Sequence, residues 1–454
     1  MADRGRVIPF PTRSKTPFFT RAAVLLTLED RVAYQAAVAS IAPKIDAALP
    51  SQVRSARLSK NDKYFLERGQ TAWQQWIKCV REEVKGGKKW MIKSDLTAYF
   101  EHIPHRLLLE EISALNPDPR LVPLIRKMLR AWASVPDLGL PQGPNASRVL
   151  ANLYLLPVDR AMLNAGFTYY RYMDDFRILA DNKAEVVDGM RLLEQECRRR
   201  GLILSAAKTK LLEGEAAIRE GQHPERDEAQ YWFEVQKLQN ERKSLKKILA
   251  GSLLNDGHVD VSGMRFSLWR LARIREYSVL RRILPRLEDL APVASVLAAY
   301  LRFFVMRGHV VSGVADFLDD EKRAHSSFLT TWLLAAMLER PGPAPPPDRW
   351  TRIAERRVKD RNQPAYLRAV AAVVFARGRR PADLAWIKTE LAREYDPVLL
   401  RGYAVALHSA DSLDKATERT LAAKSPTVAN TVKYLSGRSA RPSLVYLEGT
   451  LPVR

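Results

Sequence analysis

The sequence predicts an α+β amino-terminal half followed by an all-α carboxy-terminal half. Three observations carry this reading. Strand-like runs rich in aromatic and branched residues, Trp90–Leu96 and Tyr169–Leu179, lie among segments with helical apolar spacing. From about residue 225 strand patterns almost vanish; Leu280, Ile283, Leu284 and Leu287 repeat at the i, i+3, i+4, i+7 spacing of one helical face. Finally, Pro341-Gly342-Pro343-Ala344-Pro345-Pro346-Pro347 is a stiff boundary that divides the helical half.

The chain has 454 residues, enough for about two to four domains. Its 46% hydrophobic and 27% charged residues are those of a soluble globular protein. The 73 Lys+Arg against 51 Asp+Glu leave a formal net charge of +22. Such an excess points to a phosphate-rich partner; an Arg-rich proteome is the plainer alternative. The two cysteines, Cys79 and Cys197, have no metal-ligand spacing and imply no disulfide framework. No apolar run reaches the ~18 residues of a membrane span, and the first residues lack the apolar core of a secretion signal. A cytoplasmic protein without membrane partners is therefore expected.

In chain order, residues 1–20 read as a basic arm with Pro9, Pro11 and Pro17. Residues 21–224 form the mixed domain. Within it, Ser51–Leu58 is short and extended, and a helix runs from Phe65 to Val84 and ends at Gly86-Gly87. Trp90–Leu96 is a strand carrying Asp95 near its end. Helices follow at Leu107–Ile112, Leu121–Trp132 and Ala146–Leu163, and Leu140-Pro141-Gln142-Gly143-Pro144 is a turn before the last of them. A hairpin over Tyr169–Leu179 has Asp174-Asp175 at its tip, since Asp tolerates turn conformations. A helix over Ala184–Arg200 and a strand at Leu202–Leu204 complete the domain. Residues 225–340 are a first helical region, 341–349 the Pro-rich linker, and 350–454 a second helical region. The last is expected to hold helices at about 350–362, 364–377, 381–394, 397–409 and 411–423, as a HEAT-like solenoid or an ordinary bundle. Asp396-Pro397 is an N-cap and N1 pair.

A lone Asp-Asp is most often a solvated turn. Here Asp95, at a predicted strand end, can converge with Asp174 and Asp175 on one sheet edge. Buried like charges are costly unless a hard cation neutralises them. Three such carboxylates would hold two Mg²⁺ ions, with Mn²⁺ as a substitute. Two ions ~4 Å apart can activate a hydroxyl and stabilise a leaving pyrophosphate.

These residues resemble a known family. Asp95-Leu96-Thr97-Ala98-Tyr99-Phe100 is similar to motif A of reverse transcriptases, and Pro141-Gln142-Gly143-Pro144-Asn145-Ala146-Ser147 to motif B. Tyr172-Met173-Asp174-Asp175 is similar to motif C, and Leu204-Ser205-Ala206-Ala207-Lys208-Thr209-Lys210 to motif D. The four occur in the family's order, over residues 50–215. The resemblance implies the fingers and palm of a right-hand polymerase. It implies an RNA-directed DNA polymerase, a nucleotidyltransferase using dNTPs, with an RNA template or non-coding RNA and a DNA product as partners. Asp95, Asp174 and Asp175 would be catalytic and metal-binding. Lys208 would act near the triphosphate, with a solvated lysine as the alternative. Phe100 would be the steric gate against a ribose 2′-hydroxyl, with core packing as the alternative. Gln142 and Gly143 would face the incoming nucleotide, and Arg57, more loosely matched, would contact its triphosphate.

Arg171–Phe176, Gly143-Pro144 and Ser147-Arg148, followed by a helical half, resemble the bacterial abortive-infection and defence-associated enzymes. That implies anti-phage defence, and relatives of this type often assemble as homo-oligomers. Some copy an associated RNA. Others make untemplated DNA from a protein hydroxyl, for which Tyr64, Tyr434 and Tyr446 are candidates. A catalytically silent RNA-binding scaffold is the non-enzymatic alternative, and an RNA polymerase of related palm fold is a third reading that Phe100 opposes.

Overall fold

Four strands meet in one antiparallel sheet: β1 (Trp90–Asp95), β2 (Thr168–Tyr172), β3 (Asp175–Ala180) and β4 (Lys210–Glu213), in the spatial order β2-β3-β1-β4. The computed structural model describes residues 7–8, 23–24, 26–61, 63–219, 223–254, 257–338 and 346–437. Most of the expected basic arm, linker residues 341–345 and Tyr446 lie outside the described residues. The chain separates into two compact units, one of residues 22–222 and one from His223 onward.

In the first unit the sheet is covered on both faces. Alternation in β3 sends Phe176 and Ile178 into the main core, together with Leu150, Tyr154 and Leu193 of the helices Asn145–Asn164 and Lys183–Arg199. Leu179 of β3 and Met91 of β1 instead join Trp76, Ile77 and Val80 of the helix Gly69–Lys85. That helix is pinned to β2 by Tyr170, whose hydroxyl donates to Glu83 at 2.7 Å, and by Tyr172, whose hydroxyl donates to the Gly69 carbonyl at 3.0 Å. The sheet's free end, where β1 finishes and β3 begins, carries the acids.

Three local expectations change. Asp175 is not in the turn but is the first residue of β3; only Met173 and Asp174 connect the strands. Leu202–Leu204 forms no strand, only a bridge from Leu204 to Leu96; the fourth strand lies later, at Lys210–Glu213. The face marked by Leu280 to Leu287 is buried at Leu280, Ile283 and Leu287, but its helix breaks: a short turn at Leu280–Ile283 gives way to a 3₁₀ segment with Arg286 off helical geometry. Pro285, just past that turn, lacks the N–H that would continue the α ladder.

The second unit holds only helices among its described residues, as the loss of strand patterns from about residue 225 led us to expect. The helices Ala294–Leu301, Ser327–Leu338, Ala365–Ala376, Pro397–Ser409 and Pro426–Ser436 pack each on the next. Against them lie Gly308–Asp319, Asp348–Lys359, Pro381–Arg393 and Lys415–Lys424 as a second layer. This two-layered stack is the arrangement of an α-solenoid. The last helix was not anticipated by the apolar spacing. Gly402 permits a close approach of two helices: a Cβ there would sit 2.5 Å from the Ala369 Cβ. Asp396 caps its helix by accepting from the Val398 N–H at 2.8 Å, and charged pairs such as Arg379–Asp411 and Lys388–Asp414, each 2.6 Å, link successive pairs of helices.

The two cysteines differ sharply. Burial pushes the Cys197 thiol up to about 12, while Cys79 is only half-buried. We expect the native protein to release one equivalent of chromophore from an aromatic disulfide reagent at pH 8, from Cys79, and the second only after denaturant. Two fast equivalents in the native state would contradict the burial of Cys197.

Candidate active site

Antiparallel pairing of β1 with β3 places Asp95 directly opposite Asp175. Their Cα atoms are register partners, so both side chains leave the same face of the sheet. Like charges at such positions repel by about 0.2–1 kcal/mol. Asp95 is buried, which raises the cost, and the Lys208 ammonium lies on its carboxylate as an ion pair. A cation therefore already sits against the first acid. Lys208 belongs to a short 3₁₀ turn, Ala206–Lys208, anchored by the Ser205 N–H donating to the Asp95 carbonyl at 2.7 Å.

Asp174 follows Met173, whose φ of 55° lies in the left-handed region that costs an L-residue about 1–2 kcal/mol. The turn is held in that shape by three hydrogen bonds. The Met173 N–H donates to the Ser55 hydroxyl at 2.7 Å, and the Met173 carbonyl accepts from the Arg171 guanidinium at 3.0 Å. The Asp174 carbonyl accepts from the Leu96 N–H at 3.3 Å, which ties the turn to the end of β1.

Beneath it lies a fully buried polar cluster that sequence reasoning missed. Arg171 donates through Nε to Asp159 at 2.7 Å, through a terminal nitrogen to the other Asp159 oxygen at 2.5 Å, and to the Asn152 side-chain oxygen at 2.9 Å. Asn152 in turn donates to the Ser55 carbonyl at 2.7 Å, and the Tyr169 hydroxyl donates to Asp159 at 2.8 Å. Burial disfavours the Arg171 charge, but the Asp159 carboxylate outweighs it and holds the guanidinium above its ordinary pKa. A signal was available. Arg171 lies two residues from Tyr169 in a period-two strand and so shares its buried face, and a buried Arg requires an acid. Asp159, in the otherwise apolar helical stretch Leu155-Leu156-Pro157-Val158, was the acid to find.

Phe100 is delivered by a reversal just after β1. Ala98 takes φ 47°, and Tyr99 anchors the following 3₁₀ turn, its hydroxyl donating to the Ala151 carbonyl at 2.5 Å. The Phe100 carbonyl accepts from the Leu140 N–H at 2.7 Å, and Gln142 donates to Glu101 at 3.3 Å. The Leu140–Gly143 turn and Phe100 are thus brought together. Gly143 takes φ 114°, a conformation other residues rarely adopt. His105 steadies this turn from below through a 2.7 Å contact between its Nε2 and the Gly139 carbonyl; burial lowers its pKa and favours the neutral ring. Arg57 stands apart: it pairs with Asp46 at 3.1 Å and donates to the Leu49 carbonyl at 3.1 Å.

Among the described residues, no three metal-ligating side chains converge closely enough to form a closed metal centre. The arrangement is open instead: Asp95 and Asp175 opposed, Asp174 beside them, and a lysine cation on Asp95.

Residues 24–239 match the family model described as reverse transcriptase (RNA-dependent DNA polymerase). An uncharacterized 91 kDa protein in the cob intron of Schizosaccharomyces pombe is 37% identical over 84 residues, 17% of this chain and 10% of that protein. The group II intron-encoded protein LtrA of Lactococcus lactis subsp. cremoris is 27% identical over 147 residues, 30% of this chain and 24% of that protein. The chain thus spans a quarter or less of the length of these relatives. Telomerase from Candida albicans, solved with the TWJ fragment of telomeric RNA, aligns with a TM-score of 0.31 and 11% identity, over 72% of this chain and 55% of that one. That score is too low to support any argument.

Proposed function

We propose that this chain, whose residues 24–239 are a reverse-transcriptase domain followed by an all-helical region, is an RNA-directed DNA polymerase that consumes dNTPs. The observation that carries the proposal is the register pairing of Asp95 with Asp175, with Asp174 fixed beside them at the turn. The family implies divalent metal use, and two Mg²⁺ ions, or Mn²⁺, would be held by Asp95, Asp174 and Asp175. When bound, they would supply a lowered pKa for the attacking 3′-hydroxyl and charge for the leaving pyrophosphate.

The protein's own residues do the rest. Asp95, Asp174 and Asp175 would hold the cations on which the anionic triphosphate rests, since the carboxylates alone repel it. Lys208, once displaced from Asp95, is a donor to the departing pyrophosphate. Gln142 and Gly143 form a wall for the incoming nucleotide. Phe100 occupies the space of a 2′-hydroxyl, so Phe100→Ala is expected to narrow the preference for dTTP over UTP by about tenfold or more. Unchanged selectivity in paired kcat/KM measurements would return Phe100 to a packing role.

The setting we infer is anti-phage defence with an associated RNA. It is supported by motifs A to D standing before a helical stack, in the manner of the abortive-infection enzymes. Purifying the full chain from cells, then sequencing its DNA product beside any RNA that accompanies it, tests this reading. A product complementary to that RNA is expected. A homopolymer covalently attached to a tyrosine would instead establish untemplated, protein-primed synthesis; Tyr434, exposed on the last described helix, is a candidate for it.

A further inference from the structure

Many arginines of the helical unit end on carboxylates. Arg349 reaches Asp316 and Asp319, Arg242 reaches Glu276, Arg323 reaches Glu288, and Arg361 reaches Glu390, all between 2.6 and 3.2 Å. Arg275, Arg302 and Arg307 are different. Among the described residues they have no acidic partner, and each is instead laid over an aromatic ring. Arg302 and Arg275 lie 4.9 and 5.6 Å from the centre of the Phe303 ring, and Arg307 lies 4.3 Å from that of Tyr277.

The local fold makes this a presented surface rather than a leftover. Arg275 ends the helix Val261–Arg273 in a left-handed conformation, φ 50°, which turns the chain so that Tyr277 emerges 52% exposed. Phe303 and Arg307 come from the 3₁₀ turn Arg302–Phe304 and the loop after it, where Met306 is 61% exposed. The two segments are fixed to each other by the buried Tyr300, whose hydroxyl donates to the Glu276 carbonyl at 2.5 Å. The one acid in this stretch, Glu276, is buried and engaged by Arg242 and Lys246, so it does not neutralise the patch.

Flat cations stacked on rings are a platform for nucleobases, since a base stacks on a guanidinium plane as it does on an aromatic face. The same three guanidinium groups can meet the strand's phosphates. Paired bases of a duplex cannot reach such a platform, whereas unstacked ones can. We propose that Arg275, Tyr277, Arg302, Phe303 and Arg307 form a binding surface for single-stranded nucleic acid. It stands on these contacts and not on the polymerase assignment.

The test uses the full chain carrying Asp174→Asn, so that no strand is extended, with fluorescent dT15, U15 and a 15-base-pair DNA duplex as probes. The variant R275Q/Y277A/R307Q keeps Phe303 and Arg302 in place, and its melting curve is recorded first. Expected is at least tenfold weaker binding of dT15 and U15, with little change for the duplex. The slope of log K against log salt should fall by about 1.4 for the two arginines removed, at ~0.7 per phosphate contact on a single strand. Y277A alone should weaken binding without changing the slope. Unchanged single-strand affinity overturns the proposal. So does an equal loss for duplex and single strand, which would make the patch a general cationic surface. Polymerase activity is assayed separately on a primed template, so failure of the site at Asp95 and failure of this surface are read independently.

Discussion

Asp159→Ala is expected to cost about 3–5 kcal/mol of folding stability, a large share of the 5–15 kcal/mol that holds a typical domain. The substitution leaves the Arg171 guanidinium in a site with 0% exposure and without its acid. Two hydrogen bonds from Arg171 and one from Tyr169 are lost with it. The pair is not thereby the source of the fold's stability. Removing both partners for apolar residues of similar volume, as in D159L/R171M, should recover most of the loss, because no orphaned charge remains. Activity should not recover. The double variant still lacks the donor to the Met173 carbonyl, so the strained turn that aims Asp174 loses one of its three hydrogen bonds. Urea unfolding of the variants gives the stability part. A double variant that is both stable and fully active would show that the cluster serves packing alone.

The second large effect is catalytic. Asp95→Asn should lower dNTP incorporation by about 10³-fold or more, some 4 kcal/mol of transition-state stabilisation. Stability should barely move. The amide loses the Lys208 ion pair, which is partly exposed and worth about 0–1 kcal/mol. It also relieves the repulsion from Asp175, worth about 0.2–1 kcal/mol in the other direction. The two nearly cancel, so a melting temperature within a few degrees of wild type is expected. A collapse in stability would mean that Asp95 is a structural acid.

Much of this was legible in the sequence, and the reasons are specific. Asp95 could be placed because its strand is a short branched and aromatic run ending in an acid. Asp174 could be placed because a hairpin needs a turn between two such runs. Asp175 was expected at the tip and instead begins the strand, because Met173, no usual left-handed residue, takes a turn position; Ser55 and Arg171, distant or buried, impose that conformation on it. The helices Leu121–Trp132 and Pro397–Ser409 begin and end where the apolar spacing and the Asp396-Pro397 cap place them. Leu202–Leu204 misled because three apolar residues fit a strand and a loop equally well; here Leu202 is buried and Ile203 is exposed. The Ser55–Asn152–Asp159–Arg171 cluster was hidden because its members lie on three separate segments. Each is unremarkable until the sheet and the helix Asn145–Asn164 bring them together. Arg57, expected to contact the triphosphate, is paired with Asp46, an acid that nothing in the local sequence pointed to.

The central claim is that the acids at the end of this sheet carry polymerase chemistry. Its most direct measurement is incorporation of labelled dTTP on poly(rA) primed with oligo(dT), in Mg²⁺, by the full chain and by Asp174→Asn purified in parallel. The account predicts extended primer with the wild type and none above background with the variant, the two proteins melting alike. Incorporation that persists in Asp174→Asn would contradict it.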